Sequence, residues 1–386
     1  MRKIFFTLHK YAGLTLGLLL ALIGATGSLL VFDHALDEKL APQTVDFTPS
    51  DNPATFTEVV AAARAAVPGS IPQRVHIARA EGSPHVVRFP GPEDAPGPIE
   101  VSVSPTDARV LAVRGWGEYT MSWIYRLHYT LLAGNTGKTV VGFMGLALLV
   151  FCISGLVIWW PRGRRWKRAF TIKRNGNRFR FYFDLHKVCG IYLLPVLLVI
   201  AFSGVSIVFP LQVEKLVSWM MPLEPRGSWG QSQITGAPPL DPDSAVAIGR
   251  AIFPHGELKR IYLPQNAADS YGLSFRQEGE PWRNHGASFV RLDQYSGEVL
   301  MVHDVTRIAA GNTFLTWQFP LHNGDALGLI GRWLVLITGL APGLLFFTGF
   351  YLWWKKRRLS SKSAGKRWAR FALPILRNPS RMGKGA

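Results

Sequence analysis

The chain has 386 residues, 43 Lys and Arg against 25 Asp and Glu, and 48% hydrophobic residues. Its length would suit two or three soluble domains, but four uncharged runs of 22 residues exclude that plan, since each can cross a hydrocarbon core of about 30 Å as a helix. Two cysteines, both inside such runs, exclude a disulfide framework for the rest.

Residues 1–32 predict a short basic start and a first span, Tyr11–Phe32. Its apolar stretch exceeds that of a secretory signal and no small-x-small cleavage site follows, so the span is expected to stay uncleaved. Gly13, Gly17, Gly24, Gly27 and Ser28 offer small surfaces for close helix approach, or are the ordinary glycine content of a membrane helix. Residues 33–126 predict a first outer α+β domain. Thr55–Val67 carries apolar residues at helical spacing, and Arg74–Ala78, His85–Phe89, Ile99–Val103 and Arg109–Val113 read as strands, with a turn at Ser104–Asp107.

Residues 127–160 hold Leu127-His128 and then the span Thr139–Trp160; 161–187 form a basic loop whose one acid is Asp184. A third span, Val188–Phe209, leads into a second outer α+β domain at 210–320. There Pro242–Ile252 is the predicted helix and Leu258–Leu263, Tyr271–Phe275, Ala287–Leu292 and Glu298–His303 the predicted strands. Residues 321–354 contain Leu321-His322 and the fourth span, Trp333–Trp354. The basic stretch 355–386 ends the chain, and 359–386 is expected to be a disordered tail drawn to anionic lipid.

Charge orients this plan. The start, the 161–187 loop and the tail hold more than half of the basic residues, including Arg162, Arg164, Arg165 and Arg174. The connections 33–137 and 210–328 together hold 17 basic and 24 acidic residues. The positive-inside rule places both termini in the cytoplasm and the two connections outside. The net charge of +18 is therefore a topology signal, and no nucleic-acid partner is expected.

The chain also writes itself twice. Leu8-His9-Lys10 recurs as Leu185-His186-Lys187, an offset of 177 that carries Thr26-Gly27 onto Ser203-Gly204. At an offset of 194, Leu127-His128 maps onto Leu321-His322, Ser154-Gly155 onto Thr348-Gly349, and Trp159-Trp160 onto Trp353-Trp354. Such repeats decide architecture. They predict a four-helix membrane bundle of two parallel-topology repeats about an axis along the membrane normal.

Of ten histidines, His9, His186, His128 and His322 recur as equivalents; His34, His76, His85, His255, His285 and His303 do not. Equivalent positions face each other across a two-fold axis, so His9 should meet His186 and His128 should meet His322. Two facing imidazoles suit a haem with two axial histidines. Zinc, which wants four protein ligands or three and water, suits the pattern less. His9 and His186 each precede a span by two residues and are expected at the cytoplasmic edge. His128 and His322 precede theirs by eleven, which puts that pair about 16 Å above the span if the helix continues. Arg126, Arg332, Lys10 and Lys187 are candidate partners for haem propionates, although the two lysines read first as plain positive-inside residues. The paired tryptophans read first as an aromatic belt and second as an electron relay. Trp219, Met220 and Met221 read as interface packing or a docking surface. No Gly-x-Gly-x-x-Gly fingerprint appears, so electrons are expected from quinol, a partner or a cytoplasmic reductase.

The doubled Leu-His-Lys-x-x-Gly opening, the Leu-His before the second and fourth spans, and the helix-plus-sheet outer segments resemble the PepSY-associated transmembrane family over residues 1–358. Within it the chain is most similar to the FoxB-type ferric-siderophore reductases of the Gram-negative inner membrane. That resemblance implies two b-type haems held by His9, His186, His128 and His322, and one-electron reduction of ferric siderophore iron in the periplasm. PepSY domains are also associated with peptidase inhibition, so a membrane-anchored sensor or peptidase regulator without redox activity is the alternative. A transporter is disfavoured, because the spans contain no charged residue.

Overall fold

The computed structural model describes residues 1–386 apart from 162, 164, 165, 174–176, 226–229, 281, 283, 284 and 377–386, and it leaves the side chains of 360–376 undescribed. The basic residues Arg162, Arg164, Arg165 and Arg174 and the end of the tail thus lie outside the described residues.

The chain opens with α1 (Arg2–Leu30) and a short α2 (Asp33–Leu40), followed by α3 (Phe56–Ala66). Thr55 starts α3 as half of a capping box: its hydroxyl accepts from the Glu58 amide while the Glu58 carboxylate accepts from the Thr55 amide. Strands β1 (Arg74–His76), β2 (His85–Phe89), β3 (Ile99–Val103) and β4 (Val110–Gly115) follow, then α4 (Thr120–Thr130), α5 (Gly134–Trp159) and the single-turn α6 (Trp166–Ala169). The second half runs α7 (Arg178–Val208), α8 (Pro210–Ser218), α9 (Pro242–Ile252), β5 (Glu257–Tyr262), β6 (Ser270–Arg276), β7 (Ser288–Asp293) and β8 (Val299–His303). It closes with α10 (Ala310–Thr316), α11 (Gln318–Asn323) and α12 (Gly328–Leu376). The stretch from 359 to 376, expected to lack structure, continues the backbone of α12.

Four helices are long and apolar enough to cross a membrane: α1, α5, α7 and the Asp325–Leu359 stretch that contains most of α12. They pack as a ring in the order α5, α1, α12, α7. The small residues of α1 choose its neighbour. A Cβ added to Gly24 would lie 2.2 Å from the Gly339 carbonyl oxygen, and one on Gly17 would lie 2.6 Å from the Phe346 ring. Ser28 Oγ donates to Leu336 O at 2.8 Å. Close approach of backbones replaces the missing hydrophobic drive between helices in lipid.

The sheet departs from expectation. Instead of two separate four-stranded sheets, one eight-stranded sheet runs β4-β3-β2-β1-β5-β6-β7-β8. Antiparallel pairing of β1 with β5 makes the joint, with Val75 opposite Ile261 and His76 opposite Arg260. An edge strand with unpaired amides is a liability, and each half here covers the other's edge. Helices α3 and α9 lie on one side over a shared core that includes Val59, Ala63, Val87, Leu273 and Val290, all fully buried. Strand alternation turns the other face, with Arg88, Glu100 and Arg260, toward a cavity above the bundle.

Candidate functional site

Two pairs of imidazoles meet inside the ring. His9 on α1 and His186 on α7 have ring centroids 6.3 Å apart; His128 on α4 and His322 on α11 have theirs 6.2 Å apart. These are the pairs that the internal repeat brings into register.

The depth of the second pair differs from expectation. The helix carrying His128 does not run on into the span. It stops at Leu131, which with Leu132 takes a left-handed conformation (φ 49° and 60°), and the chain reverses before α5. Near His322, α11 ends at Gly324 with φ 86°, where a Cβ would collide with the Gly331 backbone. The reversals fold both histidines back against the spans. His128 Nδ1 lies 2.9 Å from Ile23 O on α1, and His322 Nδ1 lies 3.1 Å from Ile200 O on α7. Ile23 follows His9 on α1, and Ile200 follows His186 on α7, by fourteen residues, so the pairs stand about 21 Å apart along the helix axes at 1.5 Å per residue.

Each imidazole is seated on a hydroxyl–glycine dipeptide of a neighbouring helix. His9 Nδ1 meets Ser154 Oγ at 2.8 Å, and His186 Nδ1 meets Thr348 Oγ1 at 2.8 Å. Thr26 Oγ1 and Ser203 Oγ stand 3.3 and 3.1 Å from His128 and His322 Nδ1. All four hydroxyls also donate to carbonyls within their own helices, as Thr348 does to Leu344 O at 2.8 Å. With their hydrogens so committed, the hydroxyls accept from Nδ1–H. The carbonyls of Ile23 and Ile200 can only accept. This network assigns the Nδ1–H tautomer to all four rings and leaves each Nε2 lone pair without a hydrogen bond among the described residues, ready to bind a metal.

The adjoining glycines make room. A Cβ on Gly27 would sit 2.7 Å from His128 Cε1, and one on Gly204 would sit 3.1 Å from His322 Cε1. At Gly155 and Gly349 the distances to His9 and His186 Cε1 are each 3.5 Å. The sequence displayed these dipeptides as repeat markers, Thr26-Gly27, Ser154-Gly155, Ser203-Gly204 and Thr348-Gly349. Their role as histidine seats needed the helix packing.

The donor set fits a bis-histidine haem. A metal–imidazole bond of about 2 Å on each side, with roughly another 1 Å from nitrogen to ring centre, puts the ring centres about 6 Å apart. Among the described residues no cluster of three or more His, Cys, Asp or Glu occurs, so neither pair has the set that zinc prefers. Around His128 and His322 opens a cavity of about 540 Å³ that reaches up to the sheet. Leu20, Leu197 and Met144 line it below, and Arg88, Arg114 and Arg260 line it above. A smaller one of about 200 Å³ flanks His9, lined by Leu8, Ala12, Leu16, Val150 and Phe151.

The four basic candidates separate. Arg332 lines the upper cavity and pairs with Asp325 at 2.9 Å. Arg126 instead turns to the Gly117 carbonyl at 3.4 Å. Lys187 is tied to Asp184 at 2.9 Å and to the carbonyls of Arg168 and Thr171, a clasp on the basic loop. Lys10 lies over the Tyr11 ring. Trp159 and Trp160 cluster with Trp166, Trp159 also with Phe170, while Trp353 and Trp354 pack beside Arg357 and Arg358. None of their ring neighbours among the described residues is a histidine, which favours the belt over the relay. Trp219 and Met220 are exposed at the end of α8.

Sequence reasoning passed over the cavity roof. His76 and His285, set aside as unmatched, line it. His285 stacks on Phe319 with centroids 5.9 Å apart, and Trp282 leans on both. No periodic signal marks these residues, because they come from a strand (His76), a loop (Trp282 and His285) and α11 (Phe319).

Comparison with known proteins agrees with the membrane architecture. The chain is 26% identical over 257 residues to the uncharacterized protein PA4219 of Pseudomonas aeruginosa, an alignment that covers 61% of this chain and 63% of the relative. It therefore spans less than two thirds of that relative's length. The model of the PepSY-associated TM region matches residues 6–356. With four apolar helices long enough to span a bilayer and a match over nearly the whole chain, this protein belongs to the PepSY-associated transmembrane family.

Proposed function

We propose that the chain is a dihaem oxidoreductase of the bacterial inner membrane that delivers single electrons to ferric iron held by a siderophore in the periplasm. The observation that carries this reading is the pair of imidazole couples, spaced 6.3 and 6.2 Å, each with Nδ1 occupied and Nε2 unengaged. Haem b bound at each couple supplies a one-electron redox centre.

The remaining work belongs to the chain. His9 and His186 form the cytoplasmic site, and His128 and His322 the periplasmic one. Two imidazoles at each site would hold the haem, which would favour electron transfer over binding of small molecules at the iron. The hydrogen bonds from Nδ1 orient the rings and raise their basicity. Reversal after α4 sinks the outer site into the bundle, which brings it within about 21 Å of the inner one along α1 and α7. The cavity over the outer pair gives a chelate room beside it. Ferric iron there accepts one electron and becomes ferrous, a larger and softer ion that hard oxygen donors hold less well. The parallel two-fold repeat and the two PepSY-like halves of the sheet belong to this reading, and so does the orientation with both termini cytoplasmic.

Protein purified from haem-replete cells should show a Soret band and two haems per chain in a dithionite-reduced minus oxidised spectrum. His128→Ala and His322→Ala should each remove one haem and leave the other. A colourless preparation would overturn the proposal in favour of a membrane-anchored PepSY regulator.

A further inference from the structure

The face of the sheet that looks at the membrane carries an excess of positive charge with too few acids to match it. Register places Arg74 directly opposite Arg88 in β2 and His76 directly opposite Arg260 in β5. The intervening Val75, Val87 and Ile261 are fully buried in the helix-covered core, so alternation sends the basic side chains together to the other face. Like charges directly opposite across a ladder are destabilising. One carboxylate, Glu100, serves this cluster: it pairs with Arg88 and also accepts from the Tyr119 hydroxyl at 2.8 Å. Among the described residues neither Arg74 nor Arg260 has a carboxylate partner. Arg74 Nε, Arg260 Nε and His76 Nε2 are buried without a hydrogen bond.

Burial, followed by the neighbouring Arg260 and Arg88, holds the His76 pKa well below the usual imidazole value. Burial and then Arg88 depress that of Arg74. A fold that needed no anion here would gain by replacing these groups with apolar ones. Arg88, His76 and Arg260 line the cavity that holds His128 and His322 at its other end. A guanidinium presents a planar fork that matches a carboxylate.

We propose that Arg88, Arg260 and His76 form a carboxylate-binding site in the roof of the cavity. The carboxylates come either from a polycarboxylate chelate that enters the cavity or from the acidic edge of a porphyrin seated on His128 and His322. The site shares its cavity with the redox reading but binds anions whether or not electrons flow, so the two can fail separately.

The test uses the full-length protein in detergent, with iron-free citrate as probe and titration calorimetry as readout beside haem stoichiometry. If the carboxylates arrive with a chelate, citrate binds the wild type and Arg260→Gln weakens it at least tenfold with haem content unchanged. If they belong to the porphyrin, citrate does not bind, and the double variant Arg88→Gln/Arg260→Gln loses up to half of the haem absorbance. Either result supports the site. Arg260→Lys, which keeps the charge and loses the fork, should fall between wild type and Arg260→Gln and covers the case in which the glutamine variant does not fold. Arg250→Gln, at an exposed position of α9, should change neither readout. Wild-type protein indifferent to citrate, together with variants of unchanged haem content, overturns the proposal. A colourless protein that binds citrate through Arg260 would instead sink the dihaem reading and keep the site.

Discussion

At the scale of single residues, the four histidines depend on their seats as much as on their own chemistry. Gly27 and Gly204 occupy matching places, yet their tolerances differ. A methyl at Gly27 would come 2.7 Å from the His128 ring, closer than real Cβ atoms come to a neighbour, whereas at Gly204 the gap is 3.1 Å. Under the dihaem proposal, Gly27→Ala should therefore displace His128 and abolish the absorbance of the His128–His322 site, while Gly204→Ala weakens it less; haem titration of the two variants checks the order. A different histidine bears on acid stability. His85 in β2 is buried, and its Nδ1 accepts from the Ala78 amide at 2.9 Å, so it must stay neutral in the fold. Burial lowers its pKa to about 4 from 6.5. Since the unfolded chain binds the proton first, stability is complete above pH 6.5 and falls as pH drops toward 4. The loss reaches about 3 kcal/mol, at roughly 1.4 kcal/mol per pH unit. Melting temperature in detergent should fall across that window, and His85→Asn should flatten the slope.

At the scale of elements, the outer layer is held by contacts between its halves that neither half could make alone. Asp243, in the first turn of α9, accepts from the amides of Phe56 and Thr57 at 2.9 Å each and from the Thr57 hydroxyl at 2.5 Å. One carboxylate thereby satisfies orphan donors at the N-terminus of α3, where the helix dipole also favours negative charge. Asp243→Ala should cost about 1–2 kcal/mol, as loss of a helix cap does. The measurement is a lower unfolding midpoint with an unchanged haem spectrum. Unchanged stability would mean that water serves those amides equally well. The α4–α5 break works by another device. Leu131 and Leu132 adopt positive φ, which costs a side-chain-bearing residue roughly 1–2 kcal/mol. The reversal it produces is what lowers His128 to the level of Ile23.

At the scale of the whole molecule, the continuous sheet acts as a tie across the top of the bundle. The strand joint at Val75–Ile261 links the segment after α1 to the segment after α7, and these helices carry the seats of His128 and His322. Residues 41–119 expressed alone would present β1 as a bare edge with half of its core uncovered. That fragment should run as a dimer or larger assembly in size-exclusion chromatography; a monodisperse folded monomer would show that the halves are independent. The amphipathic α8, with Leu211 exposed on it and Trp219 and Met220 exposed just past its end, suits the membrane interface on the sheet side, where aromatic and apolar residues gather.

The amino-acid order alone determined the four long apolar helices, both sheet-forming segments, the helices at 55–67 and 242–252, and which four histidines meet in pairs. All of these are written in local periodicity, in charge, or in a repeat that needs no folding to be seen. Tertiary structure decided the rest. The depth of His128 turned on a two-residue reversal at Leu131–Leu132, whose positive φ no residue type there announces, and that of His322 on the turn at Gly324. Union of the two sheets turned on a pairing between strands about 185 residues apart. Arg260 joined Arg74, His76 and Arg88 in the roof only through that pairing, because register across a ladder, and not spacing along the chain, sets which side chains meet.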